Sequence, residues 1–244
     1  MENQFYSSDV GSNSQLKGKV GNKVIVGSII VFALNLILAI AAGMIFVNFF
    51  AKSTKIFIPV FTISLILEII LVIIFFAFGL RMPIYISIPY TAITSIVLGI
   101  FILSAISFSG LGSININLLL ASLFIPLVAM LILGTLAYFM KINVTFLSIV
   151  ISVLLVTTLV FLIVVWFVSR SWATTMFSFL GLALMLAYMA LDWYLIVKFN
   201  NNFKSYENQE QSKLLWLKYS IYFGFRLFYD YIYAAYYIYN LFRG

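Results

Sequence analysis

Four ionisable residues lie inside long apolar segments of this sequence: Glu68, Asp192, Arg226 and Asp230. An ionised group at the centre of a bilayer costs between about 3 and about 10 kcal/mol, so such a residue faces protein or water and needs a partner. Most of the other charged residues lie in the polar segments between the apolar ones. These four residues are therefore the first candidates for function.

Asp192 and Asp230 lie on the last two apolar segments, which one loop at residues 198–213 connects. This connecting loop, the longest of the predicted loops, makes the two segments antiparallel neighbours, and we expect the two carboxyl groups to approach each other in the inner half of the membrane. Two carboxylates in contact at low dielectric cannot both ionise cheaply, and they can share one proton. The pair is therefore a candidate pH sensor and gate, in a sequence that has no histidine for this role.

Without the shared proton, Asp192 and Asp230 are candidate ligands for a hard cation such as Ca²⁺, which prefers oxygen ligands. Because Ca²⁺ takes about six to eight oxygens, two carboxylates predict only weak binding. Weak binding suits a permeation pathway, which an ion must also leave. We expect no other cofactor and no enzyme activity, since a chain without cysteine or histidine has no thiolate, imidazole–metal or Ser–His chemistry.

Arg226 and Glu68 are candidate members of supporting ion pairs. Arg226 lies four residues before Asp230, so the two can pair within one helix. That pair has two interpretations, a part in transport or helix packing alone. Glu68 lies in the middle of its segment, and it is either a functional acid or a protonated, structural hydrogen-bond donor.

The composition determines which elements must position these residues. Apolar residues make up 64% of the 244 residues, charged residues only 9%, and the mean hydropathy is +1.15. A soluble domain has about a quarter of its residues charged, and a membrane-spanning helix needs roughly 20 apolar residues. The sequence predicts an all-α, polytopic membrane protein with seven transmembrane helices, at residues 24–50, 56–80, 83–106, 118–140, 145–168, 174–197 and 218–242.

The seventh segment carries polar residues at steps of three and four, which place them on one face of a helix. Such a polar stripe predicts a helix in the centre of the bundle, away from lipid. The stripe consists of Tyr219, Tyr222, Arg226, Asp230, Tyr233 and Tyr237. A pair of small residues on the first segment, Ala39 and Gly43, favours a close contact between helices.

Basic residues flank the apolar segments singly, so the net charge of +7 indicates membrane topology rather than nucleic-acid binding. Their distribution predicts a plasma-membrane protein with the N-terminus in the cytoplasm and the C-terminus outside. Polar residues 1–23 predict a disordered tail rather than a signal peptide, and residues 24–244 form the transmembrane domain. The expected partners are the lipid bilayer, protons and a cation such as Ca²⁺, and the sequence identifies no protein partner.

Several short segments resemble the transmembrane Bax inhibitor motif family, including its bacterial members. The closing segment 227–232, Leu-Phe-Tyr-Asp-Tyr-Ile, resembles the family's Leu-Tyr-Leu-Asp-Phe-Ile signature. Residues 186–198, with Tyr188 and Asp192, resemble its sixth helix, and Ser-Leu-Ile-Leu-Glu at 64–68 resembles its second. Together with similarities at 134–147, these segments cover nearly all of the chain after its N-terminal tail.

The resemblance implies a seven-helix fold with the last helix central, and a pH-sensitive calcium leak with Asp192 and Asp230 as sensor and gate. It also implies that Arg81, near the end of the second helix, contacts this pair. Arg226 departs from the pattern, because the family usually has a small or neutral residue there, and a fixed cation repels Ca²⁺. The alternative function is a non-transporting membrane regulator of stress responses, which acts through partners and uses its ion pairs only for packing.

Overall fold

A computed structural model describes residues 22–50, 53–109, 115–139, 142–168, 171–203 and 211–243. Within these ranges the chain forms seven α-helices and no strand. Nearly all of the predicted tail, residues 1–21, lies outside the described ranges. The same is true of four basic residues of the predicted loops: Lys52, Lys141, Arg170 and Lys204.

The helices follow one another along the chain with short connections. They are α1 (Lys23–Phe50), α2 (Thr54–Phe78), α3 (Ile84–Ser109), α4 (Ile116–Tyr138), α5 (Val144–Val168), α6 (Ser171–Phe203) and α7 (Gln211–Arg243). Asparagine side chains fix two of the starts: Asn115 accepts a hydrogen bond from the N–H of Leu118, and Asn143 accepts one from the N–H of Phe146, both at 3.2 Å. Each satisfies a backbone donor that the first helical turn leaves without a partner.

The loop predicted at residues 198–213 is wrong at both ends. The helix α6 continues to Phe203, and α7 begins at Gln211. The loss of apolar residues after Val197 indicates the end of the apolar segment, but polar residues continue a helix readily when it leaves an apolar environment.

Six helices, α1 to α6, are long and apolar enough to cross a membrane. Large apolar side chains cover the outward faces of α2, α4 and α5; for example, Ile73 and Leu131 are each 63% exposed. Exposure of such apolar faces to water costs free energy, whereas exposure to lipid does not. The prediction that the described residues are all-helical, with several helices that suit a membrane, is therefore confirmed.

The helix α7 differs from the other six because its many tyrosines make it less apolar. It packs against α1, α3, α4 and α6. Its buried side chains point in several directions: Phe223, Phe225, Leu227 and Phe228 are all at most 1% exposed. A helix that is buried on most sides cannot expose charged residues to water, so the charges on α7 must find partners inside the protein.

The helices α1 and α3 approach each other closely through the small residues that the sequence indicated. A β-carbon added at Gly43 or Gly99 would overlap backbone atoms of the opposite helix, those of Gly99 and Ala39 respectively. Beside this contact, the hydroxyl of Ser95 donates a hydrogen bond to Oδ1 of Asn35 at 2.9 Å. The predicted close contact of Ala39 and Gly43 with a neighbouring helix is confirmed.

The start of α1 and the ends of two other helices meet at one face of the bundle. Oδ1 of Asn200, near the end of α6, accepts a hydrogen bond from the N–H of Val24 at 3.3 Å, and its Nδ2 donates to Oδ1 of Asn22 at 3.2 Å. From α7, the hydroxyl of Ser220 donates to the carbonyl of Val24 at 3.4 Å. This arrangement fixes the register of α6 and α7, on which the candidate residues lie.

Candidate functional site

Arg226 on α7 forms an ion pair with Asp192 on α6. Its Nε donates a hydrogen bond to Oδ2 of Asp192 at 2.9 Å, and its Nη2 lies 2.5 Å from Oδ1. The side chains are 17% and 1% exposed, respectively. Two parallel contacts between a guanidinium and a carboxylate are the strong form of this interaction, and they make Asp192 the ionised member of the site.

Asp230 lies next to this ion pair. Its carboxyl group interacts electrostatically with that of Asp192, and the two residues are 7% and 0% exposed. Within the described residues, Oδ2 of Asp230 has no hydrogen-bond partner. Two buried carboxyl groups that interact can share one proton.

The structure thus brings together three of the residues that the sequence selected, but it pairs them differently. The ion pair of Arg226 joins α7 to Asp192 of α6, rather than to Asp230 one turn further along its own helix. Arg226 also donates through Nη1 to the hydroxyl of Tyr222 at 3.3 Å.

Glu68 on α2 is buried, at 2% exposed, and is not part of the cluster of Asp192, Arg226 and Asp230. Neither of its carboxyl oxygens has a hydrogen-bond partner among the described residues. Its electrostatic interactions are with tyrosines, including Tyr229 and Tyr233 on α7. The expected supporting ion pair of Glu68 is therefore not among the contacts of the described residues.

Arg81, which the family resemblance places beside the aspartates, is exposed in the turn between α2 and α3. Its backbone N–H donates to the carbonyl of Phe78 at 2.7 Å. Within the described residues, the arginine in contact with the aspartate pair is Arg226. The cation is thus supplied by α7 and not by the end of α2.

A cavity of about 310 Å³ opens beside the aspartates. Arg226, Asp230, Tyr188 and Tyr229 form its polar part. The rest of its wall is mainly apolar and comes from α2, α5, α6 and α7: Val72, Phe75, Phe76, Leu155, Thr158, Leu159, Leu184, Met185 and Phe225. The contribution of α5 could not be predicted from the sequence, since the residues of α5 carry no charge and share no motif with α7.

The described residues include no group of three or more His, Cys, Asp or Glu side chains that could hold a metal ion. Asp192 and Asp230 alone provide few of the oxygens that Ca²⁺ requires. No protein-family model matches this chain, and no curated protein shows significant similarity to it.

Proposed function

We propose that this protein is a pH-sensitive cation leak of the plasma membrane, most readily for calcium, of the transmembrane Bax inhibitor motif type. The observation that carries the proposal is the contact between the carboxyl groups of Asp192 and Asp230 on neighbouring, antiparallel helices. Both residues are buried inside a protein whose helices suit a membrane. Ionisable residues in this position are costly, and they commonly mark ion pathways and proton relays.

In this proposal the shared proton closes the leak. While it is present, a hydrogen bond joins α6 to α7 at the level of the two aspartates. When it leaves, two carboxylates face each other with one guanidinium between α6 and α7, and their repulsion favours separation of the helices. The separated carboxylates then attract a cation that passes between them, so flux rises as the pH rises.

The arrangement of spans completes the proposal. We infer that α7 is a seventh transmembrane helix in the centre of the bundle, because it packs against α1, α3, α4 and α6 and buries most of its side chains between residues 220 and 239. The chain would then cross the membrane seven times, with the start of α1 and the end of α6 on the cytoplasmic side. The hydrogen bonds of Asn200 to Val24 and Asn22 support this placement, since they hold both ends at one face.

The test is calcium flux in liposomes that contain the purified protein and an enclosed calcium dye. We expect flux to rise between about pH 6 and about pH 8, a range that buried, interacting carboxylates can reach. Asp230→Asn removes one of the two carboxyl groups that share the proton and should abolish the pH dependence of the flux. Asp9→Asn in the N-terminal segment is the matched control. Absence of flux, or an unchanged pH response in both Asp192→Asn and Asp230→Asn, would overturn the proposal.

The ion pair between Arg226 and Asp192 favours a second candidate, a non-transporting membrane regulator that uses these charges only for packing. Its two short contacts and its burial are what a structural link between α6 and α7 requires. Under this alternative, Asp192→Asn lowers thermal stability while liposomes with the wild-type protein show no calcium flux. A pH-dependent flux in the wild-type protein excludes it.

A further inference from the structure

The cavity beside Asp230 is lined by both α2 and α5. Among the described residues these two helices do not pack against each other, since α2 packs against α3 and α1 and α5 packs against α6. Phe76 on α2 and Leu159 on α5 both line the cavity and are 61% and 54% exposed, so we infer that the gap between the two helices opens on the apolar outer face of the bundle. A molecule dissolved in the membrane can therefore reach the cavity without passing through water.

The charged residues at and beside the cavity are two aspartates and one arginine, so one carboxyl group has no cationic partner of its own. Arg226 is neutralised by its two contacts with Asp192. Asp230 also lines the cavity, and within the described residues its Oδ2 has no N–H or hydroxyl partner. The other titratable groups that interact with Asp230 are Tyr188 on α6 and Tyr229 on α7, which are uncharged near neutral pH.

Aromatic rings form part of the wall of the cavity that this carboxyl group lines. Phe75, Phe225, Tyr188 and Tyr229 all line the cavity, and the rings of Phe75 and Phe225 lie 4.5 Å apart between centroids. The faces of aromatic rings attract cations, the more strongly when water is absent. A hydrated inorganic ion gains little in such an apolar chamber, whereas an organic cation with an apolar body can use both the rings and the carboxylate.

We propose that this cavity binds a lipophilic organic cation that enters from the bilayer through the opening between α2 and α5. The cationic centre lies against Asp230 and takes the place of the proton shared with Asp192, which is released. The apolar body contacts the aromatic and aliphatic wall. The volume, about 310 Å³, is at the lower end of the range for ligand pockets, about 300 to 1,000 Å³, so part of a large ligand extends into the opening.

This inference shares Asp230 with the proposed leak but goes beyond it, because binding requires no conduction. The experiment measures binding of radiolabelled tetraphenylphosphonium to the full-length protein in lipid nanodiscs, with no gradient and no flux. Leu159→Trp fills the opening without changing any charge, and Leu120→Trp is its matched control, because Leu120 on α4 is exposed to a similar degree (59%) away from the cavity. Empty nanodiscs give the partition of the probe into lipid.

We expect saturable binding that Leu159→Trp weakens at least tenfold and Leu120→Trp leaves unchanged. Asp230→Asn should weaken it to a similar extent, and triphenylphosphine oxide, an uncharged molecule of similar form, should not compete. Non-saturable binding, or equal affinity in Leu159→Trp and Leu120→Trp, would overturn the site. Equal competition by triphenylphosphine oxide would show that the site does not recognise the positive charge. This competition is measured on the wild-type protein, so it does not depend on the folding of Asp230→Asn.

Discussion

The guanidinium of Arg226 and the carboxylate of Asp192 join α7 to α6 through two contacts, at 2.9 Å and 2.5 Å. Each group is the counter-charge of the other in a part of the protein with little access to water. Asp230 interacts with both members of this pair, the carboxylate of Asp192 and the guanidinium of Arg226. The protonation of Asp230 is therefore tied to the position of α6 relative to α7.

The first prediction concerns the stability of this ion pair. Asp192→Asn and Arg226→Gln each leave one buried charge without its partner, and we expect each to lower the free energy of unfolding by about 3 to 5 kcal/mol. The double variant removes both charges, so its cost should be smaller than the sum of the single costs by about 0.5 to 3 kcal/mol. Reversible unfolding in mixed micelles, followed by circular dichroism, measures all four proteins. Additive costs would show that the two side chains do not interact.

The second prediction concerns Glu68. Its carboxyl group is buried without a hydrogen-bond partner among the described residues, and an ionised group in that position is costly. We expect Glu68→Gln to change the free energy of unfolding by less than about 1 kcal/mol, because the amide has the shape of an uncharged carboxyl group and no partner is lost. The same unfolding assay measures it, beside Asp192→Asn. If Glu68→Gln and Asp192→Asn lower the free energy of unfolding equally, Glu68 is ionised and has a charged partner.

Composition and apolar segment length were sufficient to predict an all-helical membrane protein, because lipid imposes a strong constraint on both. The sequence also indicated that Asp192 and Asp230 approach each other, since one short connection joins their helices. It could not determine which carboxylate Arg226 would select. The spacing along the chain allows Arg226 to pair with either Asp192 or Asp230. Which of them it pairs with depends on how α6 is rotated against α7, and the packing around Tyr222 and Asp192 determines that rotation.

The cavity and the opening beside it were beyond sequence reasoning for a related physical reason. They result from the absence of packing between α2 and α5, two helices whose apolar faces are alike. No residue type marks such a gap. Only Asp230 and Arg226, at its inner end, differ from an ordinary lipid-facing surface.

The third prediction compares two glycines. A β-carbon at Gly99 overlaps the backbone of Ala39, which cannot move without separating α1 from α3, whereas one at Gly134 meets the ring of Trp193 at 3.0 Å. In a free helix, Gly→Ala stabilises by about 1 kcal/mol. We therefore expect Gly99→Ala to prevent stable folding or lower the melting temperature strongly, and Gly134→Ala to have a small effect of either sign. Differential scanning fluorimetry in detergent measures both, and equal melting temperatures would contradict the close contact.

The last prediction concerns Asn200, which ties the end of α6 to the start of α1. Asn200→Ala removes the acceptor of the Val24 N–H and the donor to Asn22. Each lost hydrogen bond is worth about 0.5 to 1.5 kcal/mol, and the first turn of α1 also loses the partner of one backbone donor. We expect faster amide hydrogen exchange in residues 22–26, measured by mass spectrometry, with little change in the middle of α1.

Asn202→Ala is the matched control, because Asn202 is exposed two residues further along α6. The same substitution there changes the helix propensity of α6 equally but leaves the start of α1 untouched. If residues 22–26 exchange faster in both variants, the cause is a weaker end of α6 and not the loss of the hydrogen bonds of Asn200. Faster exchange of residues 22–26 in Asn200→Ala only would show that α6 anchors the start of α1.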